Sequence, residues 1–149
     1  MSENVSSEIL LVPLAQIREN PLNPRKTFDD IEDLAVDLQY RGMLQPVSAR
    51  TLHEDGHLVY ELIFGSRRFR AAKSAGLETI PVMVNEMSDQ EALEAMIVEN
   101  QKRADVQPLE EADGYKQLRA MSGHDVKSIA SQVGKSESYV QQRLQLTKL

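Results

Sequence analysis

"LIFGSRRFRAAKSAGLETIPV", Leu62 to Val82, runs from an apolar stretch through a single glycine into a cluster of Arg67, Arg68, Arg70 and Lys73. Leu58, Tyr60, Leu62 and Phe64 alternate with Val59, Glu61 and Ile63, which predicts a mostly buried strand that Gly65 ends. "SRRFRAAKSAG" then predicts a helix with Ser66 as its N-cap and Gly76 as its stop, and "TIPVMV" a further strand. A strand that opens through glycine straight into a helix leaves the first helical N–H groups unpaired and pointing outward, the geometry that suits a phosphate. The helix dipole is positive at that end, so Arg67 and Arg68 in the first turn go against local preference unless an anion compensates them. The alternative is that they are solvated, or pair with some of the 17 acidic side chains of residues 1–103.

Composition limits what else the chain can do. Its 149 residues are 41% hydrophobic with a formal net charge of −6, enough for one fair core or two small ones. No apolar run approaches a membrane span and the N-terminus has no export signal, so no membrane role and a cytoplasmic location are expected. With no cysteine and three scattered histidines there is no disulfide framework, thiolate nucleophile or His/Cys metal site. The acid excess lies in residues 1–103, while residues 104–149 carry six basic and six acidic groups. That balance opposes broad adhesion to nucleic acid and makes any such contact local.

Outward from the glycine, "QPVSARTL" and "HLVYELIF" flank the turn signal "HEDG" and predict a hairpin. "NPLNPRKTFDD" reads as a turn-rich connection leading to a helix capped by Asp29 or Asp30, with Ile31, Leu34, Ala35 and Leu38 on one face and Gly42 at its end. Ser88 and Glu91 predict a capping box ahead of "EALEAMIVENQKR". Pro108 opens a helix closed by Gly123, and "DVKSIASQV" and "SESYVQQRLQL" predict two short helices separated by "GKS". A mixed α/β segment to residue 104 and an all-helical segment over 105–149 follow from the change of periodicity.

Two further clusters carry chemistry. In "ENQKR" the helical spacing puts Glu99, Asn100 and Arg103 on one face, a set able to hold a divalent cation that bridges phosphates or, more blandly, to form an i, i+4 ion pair. Ala130, Gly134 and Val140 have the order and spacing of a helix-turn-helix, which would turn Lys135, Ser136, Ser138, Tyr139, Gln141, Gln142 and Arg143 toward a major groove. The bland counterpart is a plain helical hairpin.

With these pieces in order the chain resembles the ParB family of plasmid and chromosome partition proteins. "NPLNPRKTF", "GMLQPV", "GSRRFRAAKSAG" and "ENQKRADVQPLEEADGYKQL" are similar to four ordered family motifs. The resemblance implies a ParB/sulfiredoxin-like α/β domain followed by a helix-turn-helix. It further implies CTP binding with Mg²⁺, recognition of a palindromic site on double-stranded DNA, and CTP-driven self-association of the N-terminal domains as a DNA clamp. Carried over by position, it puts Gly65, Ser66, Arg67 and Arg68 at the phosphates, Glu99, Asn100 and Arg103 opposite them with Glu99 and Asn100 on the metal, and Gln45 and Pro46 at the nucleoside end.

Three departures accompany the likeness. The family's glutamate after the glycine is Ser66 here, which leaves CTP hydrolysis weak or absent. The chain stops at "LQLTKL", where family members continue, so it reads as part of a longer protein. The basic N-terminal tail through which the family contacts a ParA-type ATPase is not evident in "MSENVSSEI". A repressor with a vestigial nucleotide site and a ParB-like nuclease are the competing readings, the second opposed by the lack of clustered carboxylates beyond Glu99.

Overall fold

The structure is a computed structural model that describes residues 8–103, 106–121 and 124–148. Its strands are β1 (Glu8–Pro13), β2 (Ile17–Arg18), β3 (Val47–Glu54), β4 (His57–Phe64) and β5 (Thr79–Asn85). Its α-helices are α1 (Ile31–Arg41), α2 (Ser66–Ala75), α3 (Asp89–Gln101), α4 (Pro108–Ala120), α5 (Val126–Val133) and α6 (Glu137–Gln145). The chain divides into two compact units, Met1–Asn20 with Thr27–Met87, and Pro21–Lys26 with Ser88–Leu149. Helix α3, which lies before residue 104, therefore belongs to the same compact unit as the helices that follow it.

In the first unit one sheet has the order β1-β5-β3-β4-β2. Asp55 and Gly56, both at positive φ (51° and 77°), make the two-residue loop that joins β3 to β4, matching the twist of the antiparallel pair. Alternate residues point to one face, so Val47 and Ala49 of β3, Tyr60 and Leu62 of β4 and Ile80 and Val82 of β5 are buried with Ala35 and Leu38 of α1 and Phe69 and Ala72 of α2. The N-cap of α1 is Asp30, at φ 57° and without a side-chain cap bond, and Gly42 at φ 72° ends that helix.

Period-two reasoning misses one feature of this sheet. Glu61 is 3% exposed and Arg50 5%, and Arg50 donates Nε and Nη2 to Glu61 Oε1 at 3.1 and 2.8 Å. A buried ion pair of this kind survives because each charge finds its partner in the same dry place. Arg50 Nη1 also donates to the Met87 carbonyl at 3.2 Å, and so ties the end of the unit to β3.

The second unit is helical. Ser88 and Glu91 form the expected capping box on α3, with Ser88 Oγ accepting from the Glu91 N–H at 3.1 Å and Glu91 Oε1 from the Ser88 N–H at 2.9 Å. Pro108 begins α4, which ends at Ala120; Gly123 lies outside the described residues. Asp125 caps α5 and Ser136 caps α6, each accepting a backbone N–H three residues on. Between them Gly134, at φ 70°, makes the left-handed turn a helix-turn-helix needs, and Ala130 and Val140 are buried at 5% and 0% exposure.

Candidate functional site

The junction of β4 and α2 differs from expectation at one residue. Gly65, not Ser66, is the N-cap: it sits at φ 101°, and a Cβ built on it would lie 2.6 Å from Val47 Cγ1. The main chain passes too close to β3 for any side chain, and Ser66 becomes the buried first residue of the helix. Gly65 itself offers no capping side chain, and no acidic residue lies in the first turn of the helix. Its positive dipole end therefore meets no carboxylate from the helix's own first turn.

The arginines there are held by neutral groups. Arg67 Nε donates to the Asp29 carbonyl at 2.7 Å. Arg68 Nη1 donates to the carbonyls of Gln45 and Pro46, both at 2.9 Å. The structure thereby brings Gln45, Pro46, Gly65, Ser66, Arg67 and Arg68 into one neighbourhood of the first unit. Burial pulls the Arg68 guanidinium below its ordinary value, though an arginine stays charged at any physiological pH. Arg70 goes the other way: it pairs with Glu19 at 3.1 Å and lies 4.1 Å from the centre of the Phe28 ring, a surface ion pair of the bland kind.

A cavity of about 390 Å³ opens beside Arg68, lined also by Pro46, Ser48, Phe64, Met83, Asn85 and Met87. Its walls are mostly apolar with a few polar groups, among them Asn85 Nδ2 donating to Ser48 Oγ at 3.2 Å. That composition and volume suit a small organic ligand with a charged end at the arginine. Ser48, Asn85 and Met87 were not singled out by the sequence, because the first two meet only through the pairing of β3 with β5 and Met87 is tied to β3 by Arg50.

Glu99, Asn100 and Arg103 belong to the second unit. Glu99 is exposed at the end of α3, whereas Asn100 is 4% exposed and accepts from Arg103 Nη1 through Oδ1 at 2.8 Å. Arg103 also faces Glu110 of α4 at 3.4 Å, and its half-buried side chain keeps that contact from being a purely solvated one. Among the described residues no three His, Asp or Glu side chains gather as a metal cluster. A cation here would take one carboxylate and one amide oxygen and complete its shell with phosphate and water, a set that matches the habits of Mg²⁺.

The residues picked for DNA divide into two groups. Lys135, Ser136, Ser138, Gln141 and Gln142 are exposed at the turn and along α6. Tyr139 and Arg143 are half-buried and turn inward: Tyr139 Oη donates to Glu111 at 2.7 Å and Arg143 Nε to the same carboxylate at 2.8 Å. Glu111 sits in the first turn of α4, where acids are ordinary, so nothing in the sequence marked it as buried.

A strand–glycine–helix junction with Arg68 at a cavity, an Asn–Arg pair at the end of α3 and just beyond it, and a helix-turn-helix now stand in order along one chain. The profile of the ParB N-terminal domain matches residues 1–101, and that of the ParB HTH domain residues 104–149. The chain belongs to the ParB family. Among its ParB relatives is the chromosome-partitioning protein Spo0J of Thermus thermophilus, 43% identical over 143 residues, which cover 95% of this chain and 51% of that one. The nucleoid occlusion protein of Bacillus cytotoxicus is 34% identical, over 100% of this chain and 51% of that one. This ParB-family chain thus spans about half the length of those curated relatives.

Two crystal structures of the C-terminally truncated ParB of Caulobacter crescentus resemble it over most of its length. One holds CTP-gamma-S (TM-score 0.57, 39% identity, 95% of this chain and 79% of that one). The other holds the centromeric parS site (TM-score 0.64, 38% identity, 94% and 72%). The mixed α/β sheet unit followed by a helical helix-turn-helix segment is the family's architecture. No described helix is long and apolar enough to cross a membrane.

Proposed function

We propose that this chain is the nucleotide- and DNA-binding part of a partition protein, working in the cytoplasm, that binds CTP with Mg²⁺ and reads a palindromic DNA site. The observation that carries the reading is Arg68. It joins the glycine-led start of α2 to the Gln45–Pro46 carbonyls at the rim of a cavity of ligand size. The CTP-gamma-S complex of the Caulobacter relative supports the choice of nucleotide. CTP supplies a triphosphate for the α2 N–H groups, Arg67 and Arg68, with its nucleoside toward Gln45, Pro46 and the cavity. Glu99 and Asn100 would be the residues that offer oxygens to Mg²⁺, and Arg103 the one that offers a guanidinium to phosphate.

Ser66 offers a hydroxyl where a carboxylate would serve as base or metal ligand, so turnover is expected to be slow while binding persists. The helix-turn-helix would place Ser138, Gln141 and Gln142 at base edges and Lys135 at phosphate. Occupied by nucleotide and DNA, two copies would engage as a clamp that slow hydrolysis keeps closed. The test is calorimetry with each of the four nucleoside triphosphates, with and without Mg²⁺. Selective, Mg²⁺-enhanced CTP binding is expected; equal affinity for all four triphosphates contradicts the proposal.

A further inference from the structure

Helix α6 has two opposite faces. Tyr139, Val140, Arg143 and Leu144 form an inward stripe, with Val140 and Leu144 at 0% and 2% exposure, while Ser138, Gln141, Gln142 and Gln145 form an outward stripe that is exposed throughout. The inward stripe meets α4, whose Ala112, Tyr115 and Leu118 are fully buried.

Among those apolar groups lies one carboxylate, Glu111, with a side chain 1% exposed. Tyr139 Oη donates to it at 2.9 Å from Oε1 and 2.7 Å from Oε2, Arg143 Nε to Oε1 at 2.8 Å, and Tyr115 Oη to Oε2 at 3.1 Å. The Arg143 guanidinium lies 4.4 Å from the centre of the Tyr139 ring. An apolar side chain at residue 111 would pack more cheaply than a desolvated charge, so packing alone does not explain the network. What it adds is direction. Apolar stripes tolerate small rolls and slips, whereas two donors one helical turn apart, converging on one carboxylate, fix the roll of α6 about its axis.

We infer that Glu111 is the positioning residue of the candidate reader helix: with Tyr139 and Arg143 as its fasteners it sets the roll of α6, and Gln145 joins Ser138, Gln141 and Gln142 as the stripe that meets the bases. This rests on the proposed DNA reading and refines it in two ways. Tyr139 and Arg143 leave the set of direct DNA contacts, and Gln145 enters it.

The experiment measures binding of this chain to a duplex carrying parS and to a random duplex across a salt series, with amide hydrogen exchange of residues 137–145 in the free protein. The variants are Glu111→Gln, Tyr139→Phe, their combination, Arg143→Gln and Gln145→Ala. Glu111→Gln and Tyr139→Phe are each expected to lower the parS-over-random ratio about tenfold, and the pair no further than the worse single change, since both remove one shared contact. Arg143→Gln should leave the salt slope unchanged; a slope smaller by about one would mean a phosphate contact and overturn its assignment. Additive losses in the double variant overturn the fastening. Gln145→Ala should lower the ratio with no change in exchange, and an unchanged ratio removes Gln145 from the stripe. If Glu111→Gln does not fold, Tyr139→Phe and Arg143→Gln carry the test. Should the unaltered chain not prefer parS, the DNA reading fails by itself, and exchange still decides the fastening: faster exchange in Tyr139→Phe upholds it and unchanged exchange overturns it.

Discussion

At the start of α2, Arg67 and Arg68 spend their hydrogen bonds on main-chain carbonyls, while on α6 Tyr139 and Arg143 spend theirs on a carboxylate. A carbonyl orients a guanidinium without cancelling its charge; a buried carboxylate does both. The first region therefore keeps two units of positive charge beside a helix N-terminus and a cavity, where a polyanion gains most. The second is electrically quiet along its inward face and presents mainly uncharged amides and hydroxyls outward, with Lys135 at the turn. Both stretches carry arginine in the sequence, yet one is built to attract phosphate and the other to hold a reading surface still.

The comparison breaks most readily at Gly65. Gly65→Ala puts a side chain into a positive-φ position and against Val47, and should destabilise the first unit by about 3 kcal/mol from strain and overpacking together. Chemical denaturation measures the loss; a change under about 1 kcal/mol would mean the junction can relax.

Acid should act on the other region. Burial alone would push the Glu111 carboxyl up, but the hydrogen bonds it accepts, led by those from Tyr139 and Arg143, outweigh it and hold the carboxyl below its ordinary value. A lowered folded value means that the unfolded chain takes up the proton first as pH falls. The carboxylate's contribution is then complete above the ordinary carboxylate range, near pH 5, and is lost as pH drops through the lowered value. Denaturation midpoints of the second unit should fall below about pH 5, and less steeply in Glu111→Gln; parallel profiles would show that other carboxylates set the response.

The smallest effect concerns Ser136, which the sequence offers as a DNA contact and which the structure shows capping α6. Ser136→Ala should cost about 1 kcal/mol of stability by removing the acceptor for the Tyr139 N–H. Ser136→Asp should restore the stability yet weaken binding to all DNA sequences through repulsion of phosphate. Unweakened binding would leave Ser136 as a cap alone.

How far the sequence could be read follows from the reach of each interaction. The hairpin, the capping box, Pro108 at the start of α4 and the turn at Gly134 are governed by neighbours a few residues away, and each is where its residues predict. The N-cap of α2 slipped by one because a through-space approach to Val47 outranks the side-chain preference of serine. Arg50–Glu61 and the cavity group of Ser48, Asn85 and Met87 depend on strand pairing across the sheet. Glu111 was the least legible: its partners on α6 lie 28 and 32 residues on, and its place in a first helical turn already had an ordinary explanation.

The central claim, that the start of α2 is a CTP phosphate site, is tested most directly by titrating CTP and Mg²⁺ into the unaltered chain and into Arg68→Ala, with Arg68→Lys as a check on the lost carbonyl bonds. Loss of a charge-assisted contact worth roughly 1.5–3 kcal/mol predicts CTP affinity about tenfold to a hundredfold weaker for Arg68→Ala, with partial recovery in Arg68→Lys. An Arg68→Ala protein that remains folded and binds CTP within about twofold of the unaltered chain would contradict the account.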